Sequence, residues 1–90
     1  MMYKLFKSNQ FKRSYKKLQL NDSEEQAFID VAFKLLNAID LGIKYKDHAL
    51  TGNYAQYKEC YIKPDLLLIY KLEDMVIQFV DIGTHSELFD

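Results

Sequence analysis

The segment Leu66–Leu72 reads LLLIYKL, apolar at odd and even positions alike and bounded by turn signals on both sides. Successive strand residues face opposite sides of a sheet, so a strand apolar on both faces belongs at a sheet's centre. Its neighbours are then Tyr57–Ile62 and Met75–Ile82, joined to it through the turns Lys63-Pro64-Asp65 and Glu73-Asp74. Pro64 pre-sets φ and offers no N–H, which suits a turn and not the ladder. Connections this short make the three strands antiparallel. The remaining half of the chain must cover that sheet.

The N-terminal half supplies the cover. Tyr3–Phe6 predicts a short strand. Ser8 or Asn9 then caps a helix whose apolar residues Phe11, Tyr15 and Leu18 recur at helical spacing. Asp22 followed by Glu25 resembles a capping box, and Phe28, Val31, Ala32, Leu35, Leu36 and Ile39 make a broad stripe on a second helix. Asp40–Gly42 ends it, with Gly42 suited to a left-handed position. The expected fold is α+β: an N-terminal strand and a two-helix hairpin packed on a small, mostly antiparallel sheet. Residues 1–90 are expected to form one domain. Ile43–Gln56 lacks a clean period and holds the small-residue turn Thr51-Gly52-Asn53. A loop of this length in so small a domain is often functional.

Several function classes are excluded early. No apolar run reaches the ~18 residues of a membrane span, and the N-terminus is too polar for a secretory signal. Cys60 is the only cysteine, so no internal disulfide forms, and the cytoplasm is the expected location. His48, Cys60 and His85 lack metal-site spacing, there is no glycine-rich phosphate loop, and Cys60 reads as a buried, inert thiol. Neither metal nor cofactor is expected. The formal net charge is −1, which gives no whole-molecule attraction to nucleic acid, although Lys4, Lys7, Lys12, Arg13, Lys16 and Lys17 crowd the start.

General acid–base chemistry remains. Histidine is the side chain whose unperturbed pKa lies near neutrality; His48 and His85 lie in polar surroundings, and Asp65 stands at a third strand end. Were RNA the substrate, attack by the ribose 2′-hydroxyl would need a base, an acid for the leaving 5′ oxygen, and cations around the phosphorane. His48, Asp65 and His85 offer proton transfer, and Lys44, Lys46 or Lys63 offers charge. Tyr61, Tyr45 or Phe89 offers a stacking surface for an unpaired base. Core packing is the competing explanation for each aromatic. The residues alone leave RNA cleavage as one permissible chemistry.

Three runs narrow it: KYKDHALTG (Lys44–Gly52), YKECYIKPDLLLIYK (Tyr57–Lys71) and GTHSELF (Gly83–Phe89). In order and spacing they resemble the YafQ branch of the RelE/ParE toxin superfamily. The resemblance implies a RelE-like α+β fold and the toxin of a type II toxin–antitoxin pair, cleaving mRNA on the ribosome without a metal. It implies a cognate antitoxin as partner, contact with operator DNA only through that antitoxin, and no membrane. Catalytic roles fall on His48, Asp65, His85 and Glu59, and the terminal aromatic matches Phe89. Two positions depart from the family pattern. Tyr61 stands where such toxins usually carry histidine, and Asp81 where they usually carry a phosphate-clamping arginine. These departures motivate an alternative expectation, a weakened toxin homologue acting as an antitoxin-binding module or co-repressor.

Overall fold

The computed structural model describes residues 2–50 and 57–89. Strand β1 (Lys4–Lys7) leads into helices α1 (Asn9–Leu18) and α2 (Asp22–Leu36). A 3-10 turn at Ile43–Tyr45 precedes β2 (His48–Ala49), β3 (Lys58–Lys63), β4 (Leu66–Glu73), β5 (Val76–Gly83) and the short helix α3 (His85–Phe89). The sheet order is β1-β5-β4-β3-β2, so the doubly apolar segment is the central strand. Leu66 through Tyr70 are all buried. β1 pairs with β5 in parallel, and every other pairing is antiparallel. The expected α+β fold is present.

The helices cover one face of the sheet. Phe11 of α1 and Phe28, Val31, Leu35 and Leu36 of α2 pack with Cys60, Ile62, Leu68, Tyr70, Ile77, Phe79 and Ile82. Phe11 and Phe79 are 5.4 Å apart, centroid to centroid, and Phe28 and Phe79 are 5.8 Å apart. Truncating such a buried phenylalanine to alanine costs about 3–5 kcal/mol. On β4, Leu67 and Ile69 alternate with this set and are buried as well. Their cross-strand neighbours are Tyr61 and Gly83 for Leu67, Glu59 and Asp81 for Ile69.

Element ends depart from the expectations in instructive ways. Ser8 does cap α1: its Oγ accepts from the Phe11 N–H at 2.9 Å and donates to the Val80 carbonyl at 2.7 Å, tying the helix to β5. The α2 capping box is Asn21 with Glu24, one residue earlier than Asp22 with Glu25. Asn21 is the residue left extended, so its side chain, and not that of Asp22, meets the free N–H groups. The helix stops at Leu36, short of Asp40–Gly42, because Ala38 turns left-handed (φ 56°). Ile39 therefore falls outside the apolar stripe and is exposed.

Other corrections concern the connections. Gly42 (φ 93°) precedes the 3-10 turn and does not end α2. The turn into β5 is Asp74-Met75, not Glu73-Asp74, and both residues have positive φ (53° and 65°), as in a type I′ hairpin. β3 runs through Lys63, leaving Pro64-Asp65 as the turn. The stretch Ile43–Gln56, expected as a loop, contributes a 3-10 turn and the two-residue β2. The expected turn at Thr51-Gly52-Asn53 lies outside the described residues. Among the described residues no helix is long and apolar enough to cross a membrane.

Candidate active site

A register irregularity between Tyr61 and Lys63 interrupts the β3–β4 ladder just before the Pro64-Asp65 turn. Such bulges re-aim side chains near the end of a strand. Here Asp65 reaches α3. Its Oδ1 accepts from the His85 backbone N–H at 3.2 Å and stands 3.5 Å from the His85 Nδ1. The other ring nitrogen, Nε2, lies 3.1 Å from the Tyr61 hydroxyl. A carboxylate only accepts, so the Nδ1 proton faces Asp65 and Nε2 is free to accept from Tyr61. Burial, then the charges of Glu59 and Asp65, raises the pKa of Tyr61, which keeps its hydroxyl proton in place for that bond. Phe89 completes the cluster, its ring 6.0 Å from that of His85.

α3 is held in position by its own capping box. The Thr84 N–H donates to the Glu87 carboxylate at 2.9 Å, and the Glu87 N–H donates to the Thr84 Oγ1 at 3.2 Å. Gly83 lets the helix fold back tightly, since a Cβ there would stand 3.1 Å from the Glu87 Oε1. Thr84-His85-Ser86-Glu87 spells this box in the sequence, a helix-start signal that the sequence-based expectations did not use.

His48 lies in β2, opposite Glu59 across the β2–β3 pairing. Its Nδ1 contacts the Lys46 carbonyl, and its Nε2 is 3.8 Å from the Glu59 Oε1. Both neighbours are acceptors, so both contacts are satisfied when both ring nitrogens carry protons. Glu59 is the one buried charged side chain among the described residues. It shares a face of β3 with Tyr61, about 7 Å further along the strand. Asp47 anchors this segment from behind. Tyr70 donates its hydroxyl proton to Asp47, and the Lys58 ammonium stands 3.3 Å from the Asp47 Oδ2. Asp47 is a positioning residue that the sequence reading passed over, although it sits beside His48 in the motif.

The cations distribute unevenly. Lys46 lies over the Tyr61 ring, 5.2 Å from its centroid, which links the His48 and His85 clusters. Lys44 lies over Tyr45 at 5.1 Å. Lys63 does not turn toward Asp65 but donates to the Ser23 Oγ of α2 at 3.0 Å. Asp81 accepts from the Ile82 N–H at 2.8 Å and borders a cleft of about 250 Å³ shared with Arg13 and Lys17 of α1. Cys60 is fully buried, and burial pushes its thiol up to about 12. Among the described residues no three His, Cys, Asp or Glu side chains gather as a metal site would require.

Known proteins share both sequence and shape with this chain. Residues 3–90 match the family described as the YafQ bacterial toxins of type II toxin–antitoxin systems. The mRNA interferase toxin YafQ of Escherichia coli K12 is 43% identical over 53 residues, covering 59% of this chain and 58% of that protein. The chain thus aligns with less than two thirds of that relative's length. A copper-bound variant of a toxin from Helicobacter pylori superposes with a TM-score of 0.90 at 35% identity, over 98% of this chain and 100% of that one. The E. coli DinJ–YafQ complex gives 0.84 at 31% identity, over 98% and 99%.

Proposed function

The chain belongs to the YafQ family of type II toxin–antitoxin toxins, and from that premise we propose that it cleaves mRNA on the ribosome by metal-independent general acid–base catalysis. A cognate antitoxin holds it in check; a relative, YafQ of E. coli, forms a complex with DinJ. The observation that carries the reading is the chain of contacts Asp65–His85–Tyr61. Asp65 orients the imidazole so that Nε2 presents its lone pair to the Tyr61 hydroxyl. As the substrate's 2′-oxygen attacks phosphorus, its proton passes to the Tyr61 oxygen while Tyr61 passes its own to Nε2. No free tyrosinate forms, so the high pKa of Tyr61 is no obstacle. His48, protonated between the Lys46 carbonyl and Glu59, gives a proton to the departing 5′ oxygen as the P–O5′ bond breaks. The products are a 2′,3′-cyclic phosphate and a 5′-hydroxyl. Lys46 supplies charge beside the developing phosphorane, and Phe89 supplies a stacking face.

The test is a ribosome-programmed cleavage assay on a defined transcript, paired with expression of the protein alone. Cutting and growth arrest are expected, and both are lost in His85→Ala and in Asp65→Ala. Harmless expression with an intact transcript would overturn the reading.

Asp81 favours a second reading, an antitoxin-binding module or co-repressor without strong nuclease activity. It pairs across strands with Ile69, in the same row as Glu59. A carboxylate ~4 Å from a phosphate costs roughly 4 kcal/mol at an effective dielectric near 20. Under this reading, Asp81→Arg combined with Tyr61→His converts an inert protein into a toxic one, and a double variant as inert as the parent counts against it.

A further inference from the structure

Between the N-terminal half of α2 and the β3 end of the sheet lies a groove of about 660 Å³, a size common for small-ligand sites. It meets the catalytic cluster at Tyr61, which lines the groove and whose hydroxyl contacts His85. Tyr45 is a second aromatic residue of its lining, together with Lys46 and Lys63. The α2 wall carries Gln26 and Asp30, whose side chains meet at 3.4 Å through the Gln26 amide N–H.

We infer that this groove is the subsite for the nucleobase next to the scissile phosphate in single-stranded RNA, with Gln26 and Asp30 reading the base edge. The inference rests on the proposed nuclease function and extends it to recognition. Charge and chemistry select this occupant. Lining lysines suit the flanking phosphates, and aromatic residues suit a stacked base. Lys63 is oriented by its bond to Ser23 and not spent on a carboxylate, so its charge is available to the strand. The polar wall is acceptor-rich: Asp30 accepts only, and Gln26, having turned an N–H toward Asp30, still offers its carbonyl oxygen. Bases with an exocyclic amine (adenine, cytosine, guanine) can donate into such a wall. Uracil brings a single donor, N3–H, set between two carbonyls, so it satisfies fewer of these acceptors. Asp30 and Gln26 are therefore specificity-determining residues, separate from the groups that move protons.

Fluorescence anisotropy with 2′-O-methyl hexamers of A, C and U tests this, because the blocked 2′-oxygen prevents cleavage. The wild-type protein is expected to bind the A and C hexamers about tenfold more tightly than U. In Asp30→Ala that gap closes, and in Gln26→Ala it narrows. Both residues are exposed, so neither change disturbs the core. Equal binding of all three hexamers, no binding, or a preference that survives both substitutions would overturn the subsite. Ribosome-programmed cleavage run in parallel separates the two claims. A preference that behaves as expected without any cleavage leaves the groove standing and removes the nuclease reading. Cleavage with no dependence on Gln26 or Asp30 does the reverse.

Discussion

Tyr61 makes two contacts that pull on different parts of the side chain, a hydroxyl bond to His85 and a ring face beneath Lys46. Tyr61→Phe separates them. It keeps the ring and removes the hydroxyl, so kcat for transcript cleavage is expected to fall by roughly a hundredfold with little change in KM. Single-turnover assays read this directly, and an unchanged kcat would confine Tyr61 to stacking. Met75 raises a question of backbone instead of chemistry. A non-glycine residue at φ 65° carries strain, and Met75→Gly is expected to stabilise the protein by about 1 kcal/mol, seen as a raised urea midpoint. The turn was legible in the sequence but placed one residue early, because Asp74 carries a turn signal and methionine carries none. His85 and Asp65 were legible as polar groups at strand ends. Their partnership with Tyr61 was not, since it depends on a bulge and on contacts spanning 20 and 24 residues of chain.

Capping separates stability from function at the level of helices. Asn21→Ala removes the α2 cap and is expected to cost about 1 kcal/mol of global stability, measured by thermal or urea unfolding. Thr84→Ala removes the α3 cap, but α3 buries no side chain completely. Its expected effect is therefore on the placement of His85: cleavage falls severalfold while the unfolding midpoint stays near that of the parent. A matched loss of stability would mean that α3 belongs to the cooperative core. The same pattern explains what the sequence could convey about these elements. Asp22 with Glu25 and Asn21 with Glu24 both fit the capping spacing, and only the conformation of Asn21 decides between them. β2 is two residues long and exists through its pairing with β3. No local periodicity can announce a strand that short.

Across the whole molecule, burial sets the response to alkali. Cys60 is held protonated up to about 12, chiefly by burial and then by the nearby charge of Asp47. Tyr70 is also raised, by burial and by its bond to Asp47. Both groups keep their protons longer folded than unfolded. The Cys60 contribution is thus complete below the ordinary thiol value of 9.0 and is lost as pH rises toward about 12, while that of Tyr70 begins to fall only above 10.0. Urea unfolding at about pH 8 and about pH 10.5 should show stability falling with pH, and Cys60→Ala should make that fall shallower, by about 2 kcal/mol over the interval. Identical slopes in the two proteins would remove Cys60 from the account. The fold class was readable because the central strand and the second helix announce themselves in hydrophobic pattern. The pairing of β1 with β5 was not, and it bears on how the protein is made. Ser8 bonds to Val80 across 72 residues, and Phe11 packs on Phe79. A nascent chain has no seat for its first strand and helix until β5 has left the ribosome, and His85 emerges after that. Contacts so distant in sequence also close slowly. Synthesis and competence are therefore separated in time, and a newly made molecule passes through an interval in which an inhibitor already present can reach it before its site is assembled.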